Sequence, residues 1–267
     1  MSALCRKRSA FNLLLCSFVF LFALSLSAQE PVPLAHGNVP GEPHHHLKIE
    51  NEYVRVYYVE APPHESTLLH RHDHDYIYVS LGPSDVVNAI LNKPEIHLQL
   101  KDGETHFTRG GFAHVARNLA DTSFRNITIE LLKPQGEAHN DCGFVILGQG
   151  AGICDPPFTQ DWTSTQFETN EARLDLVTLL QSGKHTEKDS KLAFLVVGLG
   201  SPYVRLEAKG KSSKTLREGE VAWFDPGAEA QFSCEGRPTG QFLKLTFKDS
   251  AGQRKGRPSV PRQSPKT

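Results

Sequence analysis

The chain has one methionine, two tryptophans and almost no net charge: 29 Lys and Arg stand against 30 Asp and Glu, a formal −1 at pH 7. A balance of this kind excludes a global field for nucleic acid or for an anionic membrane. Long apolar runs are missing too, with one exception. Phe11 to Leu26 is apolar, follows the basic Cys5-Arg6-Lys7-Arg8, and ends in the small residues Ser25-Leu26-Ser27-Ala28. That layout predicts an export signal over residues 1–28, because the run is short for a membrane span. Cysteine is also scarce. Of five, Cys5 and Cys16 leave with the signal, and Cys142, Cys154 and Cys234 remain. In an oxidising compartment Cys142 and Cys154 either close the glycine-rich stretch between them as a disulfide loop or stay as two buried thiols. Their spacing does not suit a zinc site.

What the chain has in quantity is phenylalanine (15) and short β-branched runs, punctuated by 21 Gly and 17 Pro. This composition predicts an all-β protein, and 267 residues suit one large or two small domains. After the signal, residues 29–46 read as an extended Pro/Gly-rich lead. The triplet His44-His45-His46 is expected to be a solvated part of it.

Most of the chemistry is concentrated in Leu69 to Gly82, LHRHDHDYIYVSLG. Residues two apart on a strand share a face, so His70 and His72 point into one space. If Asp73-His74 is a two-residue hairpin turn, Asp75 becomes the cross-strand neighbour of His72. In that register Ile77 and Val79 continue the inner face, and Tyr76 and Tyr78 lie outside, away from any acid–base role. One hairpin cannot surround an ion. His114, in the segment from Gly103 to Asn118, is the candidate for a further ligand.

The two segments resemble the paired signature motifs of the cupin superfamily. His70 and His72 match the paired histidines of the first motif, with Asp75 where the family has glutamate, seven residues before Gly82. The gap after His72 is shorter than in the family, which leaves Asp75 or His74 as the third ligand. His64 replaces the leading glycine. Gly103, Gly111, His114 and Asn118 stand at the spacing of the second motif, with Arg109 where the family prefers proline. The resemblance covers residues 47–135 and implies a jelly-roll barrel holding one divalent transition metal (Fe, Mn, Zn, Ni or Cu). Close in sequence to His114 lie His106 and Arg109, which read first as exposed strand residues and second as candidates for a hydrogen-bond partner behind a ligand ring and for a guanidinium meeting a substrate carboxylate.

Residues 136–170 read as a connector, and the strand pattern restarts over 171–249. Gly219 to Ala230 repeats the spacing of Gly103 to His114, with Ala230 in the place of the histidine. The place of the first motif holds only His185-Thr186-Glu187, so His185 is expected to be a loop residue. The second unit therefore resembles a degenerate cupin barrel, as in bicupins, without a metal. Residues 250–267 carry basic residues and no acid after Asp249, and read as a disordered tail.

Three functions fit these readings: a small-molecule metalloenzyme of oxygenase or isomerase/lyase type, a non-catalytic carbohydrate or small-molecule binding and sensing module, and a barrel stapled by its metal. The expected partners are a small molecule and a second copy of the chain, with no nucleic acid and no membrane once the signal is removed.

Overall fold

Strands account for nearly all of the regular structure, as the alternating apolar runs require. The computed structural model describes residues 38–152, 154, 159–188, 190–200, 204–234, 236 and 238–248. The expected export signal, the start of the lead and the basic tail lie outside them. A single 3₁₀ turn, Val39–Gly41, precedes the first strand. Among the described residues no helix is long and apolar enough to cross a membrane.

Nine strands make the first unit: β1 (His45–Glu50), β2 (Val54–Ala61), β3 (His70–His72), β4 (Asp75–Ser80), β5 (Ser84–Ile90), β6 (Ile96–Leu100), β7 (Thr105–Thr108), β8 (Phe112–Asn118) and β9 (Phe124–Leu131). Ten make the second: β10 (Ala138–Asn140), β11 (Trp162–Thr169), β12 (Ala172–Leu180), β13 (Lys184–Glu187), β14 (Phe194–Leu199), β15 (Val204–Ala208), β16 (Lys214–Leu216), β17 (Val221–Phe224), β18 (Ala230–Cys234) and β19 (Thr239–Phe247).

The first unit sets a sheet of order β1-β2-β9-β4-β7 against a sheet of order β3-β8-β5-β6. The second repeats both orders, as β11-β12-β19-β14-β17 and β13-β18-β15-β16, with β10 added at an edge. The segment expected as a connector thus supplies β10 and β11 to the second unit. Cys142 and Cys154 form a disulfide, which closes the chain between those two strands.

The larger sheets of the two units pack face to face. Val56, Ile77, Val79, Ile127 and Ile129 of the first share one apolar cluster with Leu174, Leu195, Val197, Leu243 and Leu245 of the second. Each such side chain adds roughly 1.5–3 kcal/mol on full burial. The first unit's larger sheet is therefore covered on both faces, one by the second unit and one by its own barrel interior. This overturns the expected side-chain parity of β4. Ile77 and Val79 point to the inter-sheet core, while Tyr76 and Tyr78 line the barrel cavity.

Ile129, on the central strand β9, is 1% exposed. Ile129→Ala should cost about 2–5 kcal/mol, read as a lowered midpoint in urea denaturation with unchanged slope. A cost under ~1 kcal/mol would mean that the two sheets do not pack in solution as described.

Candidate metal centre

Four histidines from three strands meet inside the first barrel. His70 and His72 alternate along β3, and His114 lies directly across from His70 on β8. His45, on β1, comes from the other sheet. Its ring centroid is 4.7 Å from that of His70, and the His114 ring is 4.5 Å from His70 and 5.2 Å from His72. Donor nitrogens of His45, His70 and His72 all lie within 4.8 Å of one another.

Each ring is held from behind by an oxygen. His70 Nδ1 donates to the Leu68 carbonyl at 2.8 Å, and His114 Nδ1 to Asn88 Oδ1 at 2.7 Å. His72 Nδ1 faces Glu130 Oε1 at 3.3 Å, and His45 Nδ1 faces Glu42 Oε2 at 2.5 Å. Fixing one nitrogen in this way sets the tautomer and frees the other for an ion. Nε2 of both His70 and His114 is buried with no hydrogen-bond partner, a costly arrangement for a protein alone. The donor set fits a metal, and its all-imidazole character suits Zn, Cu, Fe or Ni better than Mn.

Burial keeps the rings of His70, His72 and His114 neutral, the form that binds metal. Desolvation, followed by repulsion from neighbouring imidazoles, lowers His70 and His72 to about 3 and drives His114 well below its ordinary value. Desolvation also raises Glu130. For Glu42 burial pushes upward, but hydrogen bonds from His45, His44 and the Leu68 N–H outweigh it and hold the carboxyl at about 2.

The acid expected among the ligands is elsewhere. β3 pairs with β8, whereas β4 pairs with β7 and β9. Asp73-His74 is thus a crossing from one sheet to the other, not a hairpin turn. Asp75 consequently turns away from His72: its carboxylate accepts from Arg109 Nη1 at 2.8 Å and from the Gly110 N–H at 3.1 Å. Arg109 also donates to the Gly136 carbonyl at 2.6 Å, so it clamps the crossing on the outer surface and meets no cavity ligand. Gly110 is needed there, because a Cβ would lie 2.3 Å from the His74 carbonyl oxygen. His74 stays in the crossing and, like His114, outside the group of close donor nitrogens; of the two, only His114 has its ring against those of His70 and His72. His106 pairs across from Tyr78 on β7 and holds Glu104 at 2.8 Å, away from the four rings. Asn118 bonds the Ala61, Pro62 and Thr122 carbonyls, a structural role at the base of the barrel.

Two residues of the site escaped the sequence reading. His45 was placed in a solvated lead, although the run HHLKIE contains no Gly or Pro and leads directly into β2. Tyr76 was placed outside. In fact its ring stacks on His72 with centroids 4.2 Å apart, where an inward-pointing β4 residue must lie.

The second barrel has no comparable cluster among the described residues. The strand registers place Glu187 opposite Ala230 as His70 stands opposite His114. The interior is filled by Phe194, Phe224, Phe232 and Phe242. Lys244 reaches Glu187 as an ion pair and lies over the Phe194 ring, so this unit carries its own internal cation. His185 is on β13 rather than in a loop, and its Nε2 bonds Glu187 at 2.7 Å.

The depressed histidines make an acid-labile fold. A folded value below the unfolded one means that the unfolded chain binds more protons, so stability is full above about 6.5 and lost as pH falls toward about 3. Glu42 adds a loss in the same direction below its ordinary range, while the raised Glu130 acts oppositely. The metal-free protein should therefore show a Tm that falls steadily from pH 7 to pH 4. A flat profile over that window would show that the rings are not buried neutral.

The sequence matches no family model and no curated protein. Solved structures do match. A cupin 2 conserved barrel domain protein from Leptotrichia buccalis superposes with TM-score 0.53 at 10% identity, over 76% of this chain and 88% of that one. AerE from Microcystis aeruginosa gives 0.54 at 8% identity, over 78% and 99%. A salicylate 1,2-dioxygenase from Pseudaminobacter salicylatoxidans gives 0.52 at 11% identity, over 73% and 70%. Likeness at these identities concerns architecture. Together with the duplicated strand order, it gives this chain the cupin fold, in two barrels of which the first gathers four histidines.

Proposed function

We propose that this is an exported metal-dependent protein that transforms a small molecule at the four-histidine centre, with chemistry of the dioxygenase type. The observation that carries the metal is the pair of buried, partnerless Nε2 atoms on His70 and His114. Export is supported by the signal-like leader and agrees with the Cys142–Cys154 disulfide.

Beyond the histidines the cavity is walled by Val59, Val86, Leu98, Leu100 and Phe124. No carboxylate, lysine or arginine is among its lining residues. Its volume is about 60 Å³, well below the ~150 Å³ that accommodates benzene in a protein interior. These walls offer a ligand an apolar surface and no side-chain charge. A divalent ion, when bound, supplies Lewis-acid or redox chemistry to a coordinated oxygen donor. The protein's part is to orient that donor against the apolar wall and to exclude water. Burial, more than any neighbouring charge, raises the phenols of Tyr76 and Tyr78, so both stay protonated and neither acts as a base. The lack of a carboxylate in the cavity favours a second reading, a binding or sensing protein whose ligand is held and released unchanged.

Elemental analysis of untagged mature protein should find close to one transition-metal ion per chain, lost in His72→Ala/His114→Ala and retained in Asp75→Ala and His185→Ala. No metal in the wild type after reconstitution would sink the reading. Oxygen uptake with short-chain acids and diketones then separates the two functions: turnover means enzyme, saturable binding without turnover means sensor.

A further inference from the structure

We propose that Glu42 is a carboxylate of this metal centre, working through His45 as Glu130 faces His72, and that the segment Glu42 to His45 is an arm that completes the site. The proposal rests on the metal reading above. It begins from a buried charge. The Glu42 side chain is 1% exposed, and its ion-pair contacts are with His44 and His45 alone. No lysine or arginine answers it among the described residues. A carboxylate in that position is costly unless a positive charge stands nearby. An ion on the far nitrogen of His45 provides that charge.

The carboxylate is also held rigidly. Oε2 accepts from the His44 N–H at 2.8 Å and faces His45 Nδ1 at 2.5 Å. Oε1 faces His44 Nδ1 at 2.9 Å and accepts from the Leu68 N–H at 3.0 Å. Leu68 is the connecting residue, because its carbonyl accepts from His70 Nδ1. One residue, through the two peptide groups that flank its Cα, therefore holds Glu42 by its N–H and a ligand ring by its carbonyl.

The arm is seated independently of these bonds. Val39 is fully buried against Tyr57 and Val59, and Asn38 bridges to Arg71 on the ligand strand. The acid that β4 does not send inward, Asp75 being held on Arg109, is replaced one layer further out by an acid from the lead. A carboxylate behind a ligand histidine orients the ring and raises its basicity, and its removal typically lowers metal affinity 10–100-fold.

The test is Co²⁺ titration of the metal-free protein against a competing chelator, with the visible absorption of the bound ion as a second readout. Glu42→Gln should bind about 10–100-fold more weakly with a shifted absorption band, and Glu42→Asp should recover part of the loss. His46→Ala, whose ring stacks on Tyr58 and makes no contact with Glu42, should bind within about threefold of wild type. His45→Ala should lose tenfold or more, and adding Glu42→Gln to it should cost little beyond that. Folding of each variant is checked by near-ultraviolet circular dichroism. Wild-type affinity and spectrum in folded Glu42→Gln would overturn the role of Glu42. If that variant does not fold, wild-type affinity in His45→Ala overturns the arm on its own. Undiminished Co²⁺ binding in His72→Ala/His114→Ala would instead overturn the metal centre itself, and the arm with it.

Discussion

The sheet β1-β2-β9-β4-β7 is buried on both faces, and most of the first barrel follows from that constraint. One face packs on the equivalent sheet of the second unit through Ile77, Val79, Ile127 and Ile129. The other turns into the barrel and carries Tyr76, Tyr78, Asn126 and Thr128 to the cavity wall. In a one-sided sheet the aliphatic residues of β4 would mark the barrel interior. Here the second unit takes that apolar face, and the barrel is left with the polar and aromatic one. A hollow able to hold an ion and a small ligand exists because the stronger apolar packing lies elsewhere.

Within the hollow, imidazoles are buried under conditions that a protein alone would not favour. Their back nitrogens are satisfied by Leu68, Asn88, Glu130 and Glu42, and their front nitrogens converge without partners on His70 and His114. Desolvation disfavours the protonated form of His70, His72 and His114, which therefore wait in the ligating form. The two carboxylates of the centre stand behind rings, not among them. An ion held by neutral imidazoles keeps more of its charge than one bound by a carboxylate, and polarises a coordinated oxygen donor more strongly.

The second barrel shows what the same strand order does once the cavity is given up. Aromatic rings from β14, β17, β18 and β19 fill it. The ion pair of Lys244 and Glu187 puts a cation and its counter-charge inside one barrel. Its larger sheet supplies the apolar face against which the first barrel's larger sheet packs.

Much was legible in the primary structure, for physical reasons. Alternating runs broken by Gly and Pro specify short strands, and His70 and His72 share a face because they stand two apart on one of them; His114 was legible from the resemblance of its segment to the second cupin motif, not from any local pattern. The repeat of the second segment was legible as well: Ala230 stands opposite Glu187 in the second barrel as His114 stands opposite His70 in the first. Three things were decided only by tertiary structure. The parity of β4 depended on which face the second unit covers, and no pattern within Asp75 to Ser80 records that. Asp75 looked like a ligand because a two-residue gap suits a hairpin; the chain instead crosses between sheets there, and Arg109 takes the carboxylate. His45 and Glu42 reach the centre from a segment more than twenty residues before His70, through pairing of β1 with β2. Sequence separation carries no information about that approach: local alternation is dictated by the backbone, whereas convergence of distant strands depends on the packing of the whole sheet.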